Sequence, residues 1–486
     1  DPLFSDGTRL QDYVSYNPQY VHFGIVFQGG GSIHNDGSIM NHWTVNYGYS
    51  KTTSCRFASL LWYKLAGRTP PEGLTTIGVK RTRDFFVRMI KPWGGHIGPN
   101  GNYGRYGHLY EPIYYLLYWD ATPEAWAAFQ TTFNAVKKLV ETGSVGPGYN
   151  TFGNYYQSKL FGPLKAPAKK LTTKQLMTRL SGVHVSPTAK YVVHRSPASY
   201  SVYSWHSFSA NGGMLDMDPV VQDTTSDCGV VVRSKRAKDT GYVQDTLIPQ
   251  SWVKTTVYGP VVTDDGFSVI TRRDSKYGVT NHTAFVSLPN CNTVLVSRTI
   301  AREDMEVDKL EMGTVTFLLN QEKLGLGINK WPWWGDHKLR LPEGRGSGGR
   351  PAWVNVGNRM GYVAIGTSPT ASVGGESVVF ERYTKKRTIK AGGEIGRVIL
   401  VTFPGVTAEE TARLADGVQL LRAAPEGVYA VRVPKTKGLS APVWVIVNFR
   451  SKAVDITLPL EAGGDGKVTV KARSCLVVSQ GPARKG

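Results

Sequence analysis

The sequence predicts an α+β multidomain chain: a partial (α/α) toroid, then a large antiparallel β-sandwich, then a small C-terminal β-sandwich. Three observations predict it. Apolar residues recur at three-and-four spacing through the first part of the chain. From about Tyr191 the period drops to two, in runs rich in Val, Thr and aromatics. A last block repeats that alternation in shorter runs. The boundaries fall at 1–185, 186–416 and 417–486, and a chain of 486 residues is long enough for several domains.

The helical part is read element by element. Arg56–Leu65 (RFASLLWYKL) has an apolar stripe and is closed by Pro70-Pro71. Thr76–Ile90 is a second helix, ended by Pro92-Trp93-Gly94-Gly95, and Leu109–Trp119 a third. Pro123–Glu141 follows, with Thr122 as its cap and proline in the first helical position, where a missing N–H costs nothing. Thr172–Leu180 is a short fifth. The segment Asp6–Tyr13 (DGTRLQDY) recurs as Asp36–Trp43 (DGSIMNHW). Both read as helix entries, with Asp-Gly turning the chain and Ser or Thr capping. Helical hairpins repeated in this way curve into an array or toroid.

The β part is marked by Tyr191–His194, Cys228–Val232, Gly266–Thr271, Thr293–Val296, Thr314–Leu319 and Ser377–Phe380, separated by Asp-Gly, Pro-Asn and Gly-Gly turns. The intervals are too short for helical crossovers, so the sheets are antiparallel. Glu409–Ala415 is a helical interruption. The C-terminal block consists of Gly427–Val433, Val443–Asn448, Val454–Leu458, Lys467–Val470 and Cys475–Val478. The stretch 341–351 (LPEGRGSGGRP) reads as a mobile loop able to reach over a cleft.

Composition narrows the partner. Fifty-seven basic residues against 37 acidic give a net charge of +20, which attracts polyanions. The basic residues are spread thinly, without the arms or reader motifs of nucleic-acid proteins, so no nucleic acid is expected. The 12 Trp and 24 Tyr, many in Gly-rich polar loops, favour stacking on sugar rings. The expected partner is therefore an acidic polysaccharide. No apolar run reaches the length of a membrane span, so no membrane insertion is expected. The chain opens at Asp1-Pro2 with neither a start Met nor a signal peptide, which reads as a processed or truncated start. A secreted or periplasmic setting follows from the substrate class. Cys55, Cys228, Cys291 and Cys475 are scattered without CxxC spacing. Cys228 and Cys291 can pair, and reduced buried thiols are an equal alternative. No His/Asp/Glu cluster has metal-ligand spacing, and no cofactor is expected.

The densest polar constellation is Asn41-His42-Trp43, Tyr47-Gly48-Tyr49 and Asn100–His108 (NGNYGRYGH). Glycine-punctuated loops carrying His, Tyr, Arg and Asn line concave sites rather than cores. Elimination from a uronate needs this set. Its weakly acidic C5 proton is released only if donors neutralise the adjacent carboxylate. One group must take that proton and another must protonate the departing O4 oxygen, tasks within reach of Tyr and His.

At these residues the chain resembles the hyaluronate, chondroitin AC and xanthan lyases. DGSIMNH (Asp36–His42) followed by YGYS (Tyr47–Ser50) is similar to their DGSFxQH…YxGxYG segment. The resemblance implies an incomplete α/α toroid, large antiparallel sheets and a small terminal β domain. It also implies catalytic roles for His42 and Tyr49 (with Tyr47 as fallback), and for Arg105 in a GRxIxR-like loop. The family's catalytic Asn lies well upstream of its His, beyond the start of this chain. Either Asn41, Asn46 or Asn102 takes its place, with Asn41 the first choice, or a removed or separate N-terminal helical segment carries it, or the chain belongs to a related toroid lyase family. The family's NGEN glutamate motif is absent. Trp43, Tyr47, Asn102, Tyr103, Tyr106 and His108 are then substrate-binding, joined by Trp333 and Trp334 of Trp331–His337 (WPWWGDH) as a sugar-stacking loop or a sheet-edge plug.

Other residues are weighed beside these. His22 and His34 flank the same loops. His194-Arg195 opens the β region, where a structural ion pair is expected. Asn281-His282-Thr283 fits a glycosylation sequon. Two rival functions stand: a toroid glycoside hydrolase using two of Asp6, Asp12, Asp36 and Glu111, and a non-catalytic binder of polyanionic glycans.

Overall fold

The computed structural model describes residues 32–33, 39–41, 44–45, 66–69, 80, 82–90, 121–141, 166–187, 191–205, 216–217, 230–246, 254–316, 339–340, 351–356, 358–365, 377–459 and 465–480. The chain divides into two compact units: Asp1–Leu180 with Ser186–Lys190 and Asn320–Trp333, and Ser181–Val185 with Tyr191–Leu319 and Trp334–Gly486.

In the first unit the described helices are Thr82–Met89, Pro123–Glu141 and Thr173–Arg179. The second has the bounds its sequence predicts. Thr122 caps it: the Ala125 N–H donates to Oγ1 at 3.2 Å and the Trp126 N–H to the carbonyl at 2.9 Å. Its small inner face (Ala125, Ala127, Ala128) and Phe129 are buried. Thr173–Arg179 begins with a reciprocal capping box between Thr172 and Gln175, which satisfies two otherwise orphaned donors. The last two helices meet at a 2.8 Å hydrogen bond between the Thr131 and Thr173 hydroxyls and at an Arg179–Glu124 ion pair. The other expected helices, Arg56–Leu65 and Leu109–Trp119, lie outside the described residues, and so does the toroid they would help to build.

One expectation is overturned here. The second copy of the Asp-Gly repeat does not enter a helix. Ile39–Asn41 is a strand between Ser32–Ile33 and Thr44–Val45 in a three-stranded antiparallel sheet, with Ile39 opposite Ile33 and Asn41 opposite Thr44. Cross-strand pairing of Ile39–Asn41, which no local signal announces, decides its state; Asp36-Gly37 lies outside the described residues.

The second unit is built of antiparallel layers. Its centre is an eight-stranded sheet in the order Lys254–Thr263, Gly266–Asp274, Val279–Ser287, Thr293–Ala301, Glu394–Pro404, Met360–Ile365, Ala352–Val356, Leu339–Arg340. Alternation along each strand gives it two apolar faces. Phe267, Phe285, Leu295 and Leu400 point to one. There they meet Val232, Leu310, Met312 and Phe380 of a five-stranded sheet made by Ser377–Tyr383, Met305–Thr316, Val230–Arg236, Val243–Thr246 and Arg387–Ile389. Val192 and Tyr203, from the sheet containing Tyr191–Arg195 and Tyr200–Ser204, join that core.

Ile270, Ala284, Val296 and Ile399 point to the opposite face. They pack against Val431, Val433, Val443 and Val445 of the C-terminal sheet (Gln419–Leu420, Val428–Val433, Val443–Asn448, Ser474–Ser479) and against Leu414 and Ala415 of the helix Ala408–Gly417. The far side of that sheet buries Trp444 and Ile446 against Ile456 and Leu458 of the hairpin Val454–Pro459/Asp465–Val470. The strand expected from Thr314 already begins at Met305 and is described to Thr316, because its charged first half is held by pairing on both sides; residues 317–319 lie outside the described residues.

Among the described residues no helix is long and apolar enough to cross a membrane. Cys291 is a free, buried thiol that donates to the His194 carbonyl at 3.5 Å, so the pairing with Cys228 is not made; Cys228 itself lies outside the described residues.

Candidate functional site

His42, Trp43, Tyr47, Tyr49, Asn102, Tyr103, Arg105, Tyr106, His108, Trp333 and Trp334 lie outside the described residues. So do Asn46, His22, His34, Asp6, Asp12, Asp36, Glu111 and the loop 341–350. Asn41 is placed as backbone at the end of the strand Ile39–Asn41.

Two polar constellations are described, both within the β unit. The first is a buried network. His194 Nδ1 is 2.8 Å from Ser287 Oγ, which is 2.7 Å from Ser201 Oγ. The Tyr203 hydroxyl lies 2.8 Å from Thr271 Oγ1 and accepts from Arg273 Nη2 at 3.3 Å. His194 is 4% exposed, and burial pushes its pKa down to about 4, against a weaker opposing pull from Asp265. His194 is thus a neutral imidazole sharing a hydrogen bond with Ser287, and the neighbouring Arg195, to which the ion-pair expectation belongs, is buried. These side chains are all buried inside the sheets, where hydrogen bonding offsets the cost of removing them from water.

The second constellation is a cleft of roughly 350 Å³ lined by His282, Arg298, Ile300, Glu426, Gly427, Phe449 and Arg450. Its floor, His282, Arg298 and Ile300, is set by strand register and belongs to a longer basic row. Arg272 lies opposite His282, His282 opposite Arg298, and Arg298 opposite Arg397, so four basic residues form one row across four adjacent strands. The row continues the face that packs on the C-terminal sheet, at the level where apolar side chains give way to charged ones. Like charges placed directly opposite one another are destabilising, and acids partly offset them. Arg272 reaches Asp274 at 3.2 Å. The mostly buried Arg298 holds Glu394 at 2.9 Å and Glu426 at 2.6 Å. Arg397 is 3.7 Å from Glu394 and lies over the Tyr429 ring.

The wall is the C-terminal sheet and its turns. The Phe449 ring sits 5.5 Å from His282 and 5.9 Å, edge-on, from Tyr429. The Phe449 N–H donates to the Gly427 carbonyl at 3.0 Å, and Asn448 Oδ1 accepts from the Arg450 N–H at 2.9 Å, which fixes the rim. Gly427 has φ +77°, and a Cβ there would stand 3.3 Å from Arg298 Nη1 and 3.4 Å from Arg450 Cγ. Burial first, then the Arg272 and Arg298 cations and a smaller push from Arg473, bring the His282 pKa down to about 4 against the pull of Asp274. At neutral pH His282 is an uncharged donor and acceptor beside guanidinium groups.

Of the sequence motifs only the Asn281-His282-Thr283 sequon falls at this cleft, and the fold rules it out. Asn281 is fully buried, and its Nδ2 donates to Ser297 Oγ at 3.0 Å, Thr299 Oγ1 at 3.2 Å and the Arg298 carbonyl at 3.3 Å. The alternation that turns Asn281 inward turns His282 into the cleft.

No family model matches the chain, and no curated protein matches it. The chain is structurally similar over most of its length to solved polysaccharide lyases. A chondroitinase AC lyase, described through its oligosaccharide complexes, aligns with 95% of this chain and 74% of its own at 12% identity and a TM-score of 0.46. A mutant of the heparan sulfate lyase HepC from Pedobacter heparinus aligns with 94% of this chain and 68% of its own, at 8% identity and 0.36. A heparinase III aligns with 86% and 75%, at 10% identity and 0.31.

Proposed function

We propose that the chain cleaves an acidic, uronate-bearing polysaccharide by β-elimination. The observation that carries this reading is the pair of segments Asp36–His42 and Tyr47–Ser50, with Arg105 in a second Gly-rich loop. Arg105 and Asn41 neutralise the uronate carboxylate and so acidify the C5 proton. His42 and Tyr49 share the proton transfers: one removes the C5 proton and the other protonates O4 as the glycosidic bond breaks. Trp43, Tyr47, Tyr103 and Tyr106 supply faces for the sugar rings, Asn102 and His108 hydrogen bonds, and Trp333 and Trp334 a further platform. The net charge of +20 supports the reading by favouring a polyanionic substrate. The setting is extracellular or periplasmic, where such polymers occur.

The test incubates the protein with polygalacturonate, alginate, hyaluronate and chondroitin sulfate in turn, following ultraviolet absorbance and reducing ends together. Both signals rising in step on one polymer is the expected result. Reducing ends without absorbance would make the chain a hydrolase, and binding without either would make it a glycan-binding protein.

A further inference from the structure

We propose that the cleft between the Arg272–His282–Arg298–Arg397 row and the Phe449–Arg450 rim is a binding site for the anionic group of an acidic glycan. The site is built wholly within the β unit, from residues other than those proposed for catalysis. It holds whether or not the chain cleaves what it binds.

Four observations converge. The basic row is expensive: the guanidinium groups of Arg298 and Arg397 stand directly opposite one another in register, with Arg272 beyond the neutral His282, where threonine or valine would serve the sheet better. Among the described lining residues the guanidinium groups of Arg298 and Arg450 face a single carboxylate, Glu426, and the Arg272 and Arg473 cations act on His282 from beside the cleft. The acid nearest the opening is the least fixed. The Glu426 side chain is 84% exposed while its partner Arg298 is 8% exposed, so an incoming carboxylate or sulfate can take its place on a guanidinium already held by Glu394. Arg450, exposed on the rim, supplies a second guanidinium to the same opening.

Shape and chemistry then favour a sugar. Gly427 keeps the opening clear at the point where any side chain would crowd both Arg298 and Arg450. His282 is a polar partner for hydroxyl groups, and Phe449 offers an apolar edge beside it. A volume of roughly 350 Å³ suits a small ring rather than a helix or strand of a partner protein.

The test uses the full chain and four probes at low salt: polygalacturonate oligosaccharides (carboxylate only), dextran sulfate (sulfate only), neutral dextran and a single-stranded oligonucleotide. Binding is read by titration calorimetry for the wild type, Arg450→Ala, Glu426→Gln and Lys386→Ala. Lys386 is an exposed cation of the five-stranded sheet region, and its loss changes net charge as Arg450→Ala does. Circular dichroism confirms that each variant is folded. The expected result is affinity for one or both anionic glycans that falls roughly tenfold in Arg450→Ala, rises in Glu426→Gln and stays unchanged in Lys386→Ala. The two glycan arms tell carboxylate from sulfate recognition. Equal effects of Arg450→Ala and Lys386→Ala would overturn the proposal by reducing binding to net charge. So would tight binding of neutral dextran, or an oligonucleotide that binds as well as the glycans with the same dependence on Arg450. Cleavage is not read in any arm, so a negative result here leaves the proposed elimination standing, and the reverse is equally true.

Discussion

His282 lies directly opposite Arg298 across the antiparallel strands Val279–Ser287 and Thr293–Ala301, an uncharged imidazole set beside a buried guanidinium. The pair stays compatible only while the histidine remains neutral. Together with the buried His194, this makes the β unit sensitive to acid.

Both histidines have pKa values near 4 in the folded chain, below the ordinary 6.5 of an unfolded one. The unfolded state therefore binds more protons between these values. Stability is fully present above about pH 6.5 and is lost as pH falls toward 4. For the buried His194 the loss amounts to about 3 kcal/mol across the window, and His282, lowered to the same value, adds a loss in the same direction. Urea midpoints at pH 7 and pH 4 measure it. His194→Asn is expected to reduce the difference relative to wild type, and an unchanged difference would exclude His194 as a source.

Gly266 follows the Asp264-Asp265 turn, and a Cβ there would fall on the Ser287 carbonyl of the neighbouring strand. The backbone, unlike a flexible side chain, cannot step aside. Gly266→Ala is expected to cost roughly 1–3 kcal/mol in urea denaturation through overpacking.

Asn281 is a sequon in sequence and a core residue in structure. Expression in a glycosylating host is expected to give a protein whose intact mass carries no glycan at Asn281. Asn281→Ala is expected to lose roughly 1–3 kcal/mol, because Ser297, Thr299 and the Arg298 carbonyl lose their shared donor.

For the proposed elimination, His42→Ala and Tyr49→Phe are each expected to lower kcat by roughly a hundredfold or more, the usual contribution of a general acid or base. Trp43→Ala is expected to act mainly on KM. Steady-state kinetics on a cleaved polymer separate the two effects, and a Tyr49→Phe protein with full activity would remove that residue from the mechanism.

Much of the local structure was legible in the sequence because local chemistry dictates it. Thr122-Pro123 opens its helix as their chemistry requires, and Val443–Asn448 has its predicted bounds. The exceptions are places where distant pairing decides. Ile39–Asn41 became a strand because Ile33 and Thr44 pair with it, and the charged segment Met305–Thr316 became one because two neighbours hold it. The cation row was illegible for the same reason. Arg272, His282, Arg298 and Arg397 sit in four strands, and no spacing in the sequence shows that register lines them up. The loops carrying His42, Tyr49 and Arg105 lie outside the described residues.

The most direct measurement of the central proposal is mass analysis of products formed in water enriched in heavy oxygen. Elimination adds no water to the polymer. The account predicts fragments free of the heavy label that carry a 4,5-unsaturated uronate at the new non-reducing end. Heavy oxygen incorporated at the point of cleavage, or no fragmentation of any uronate polymer, would contradict it.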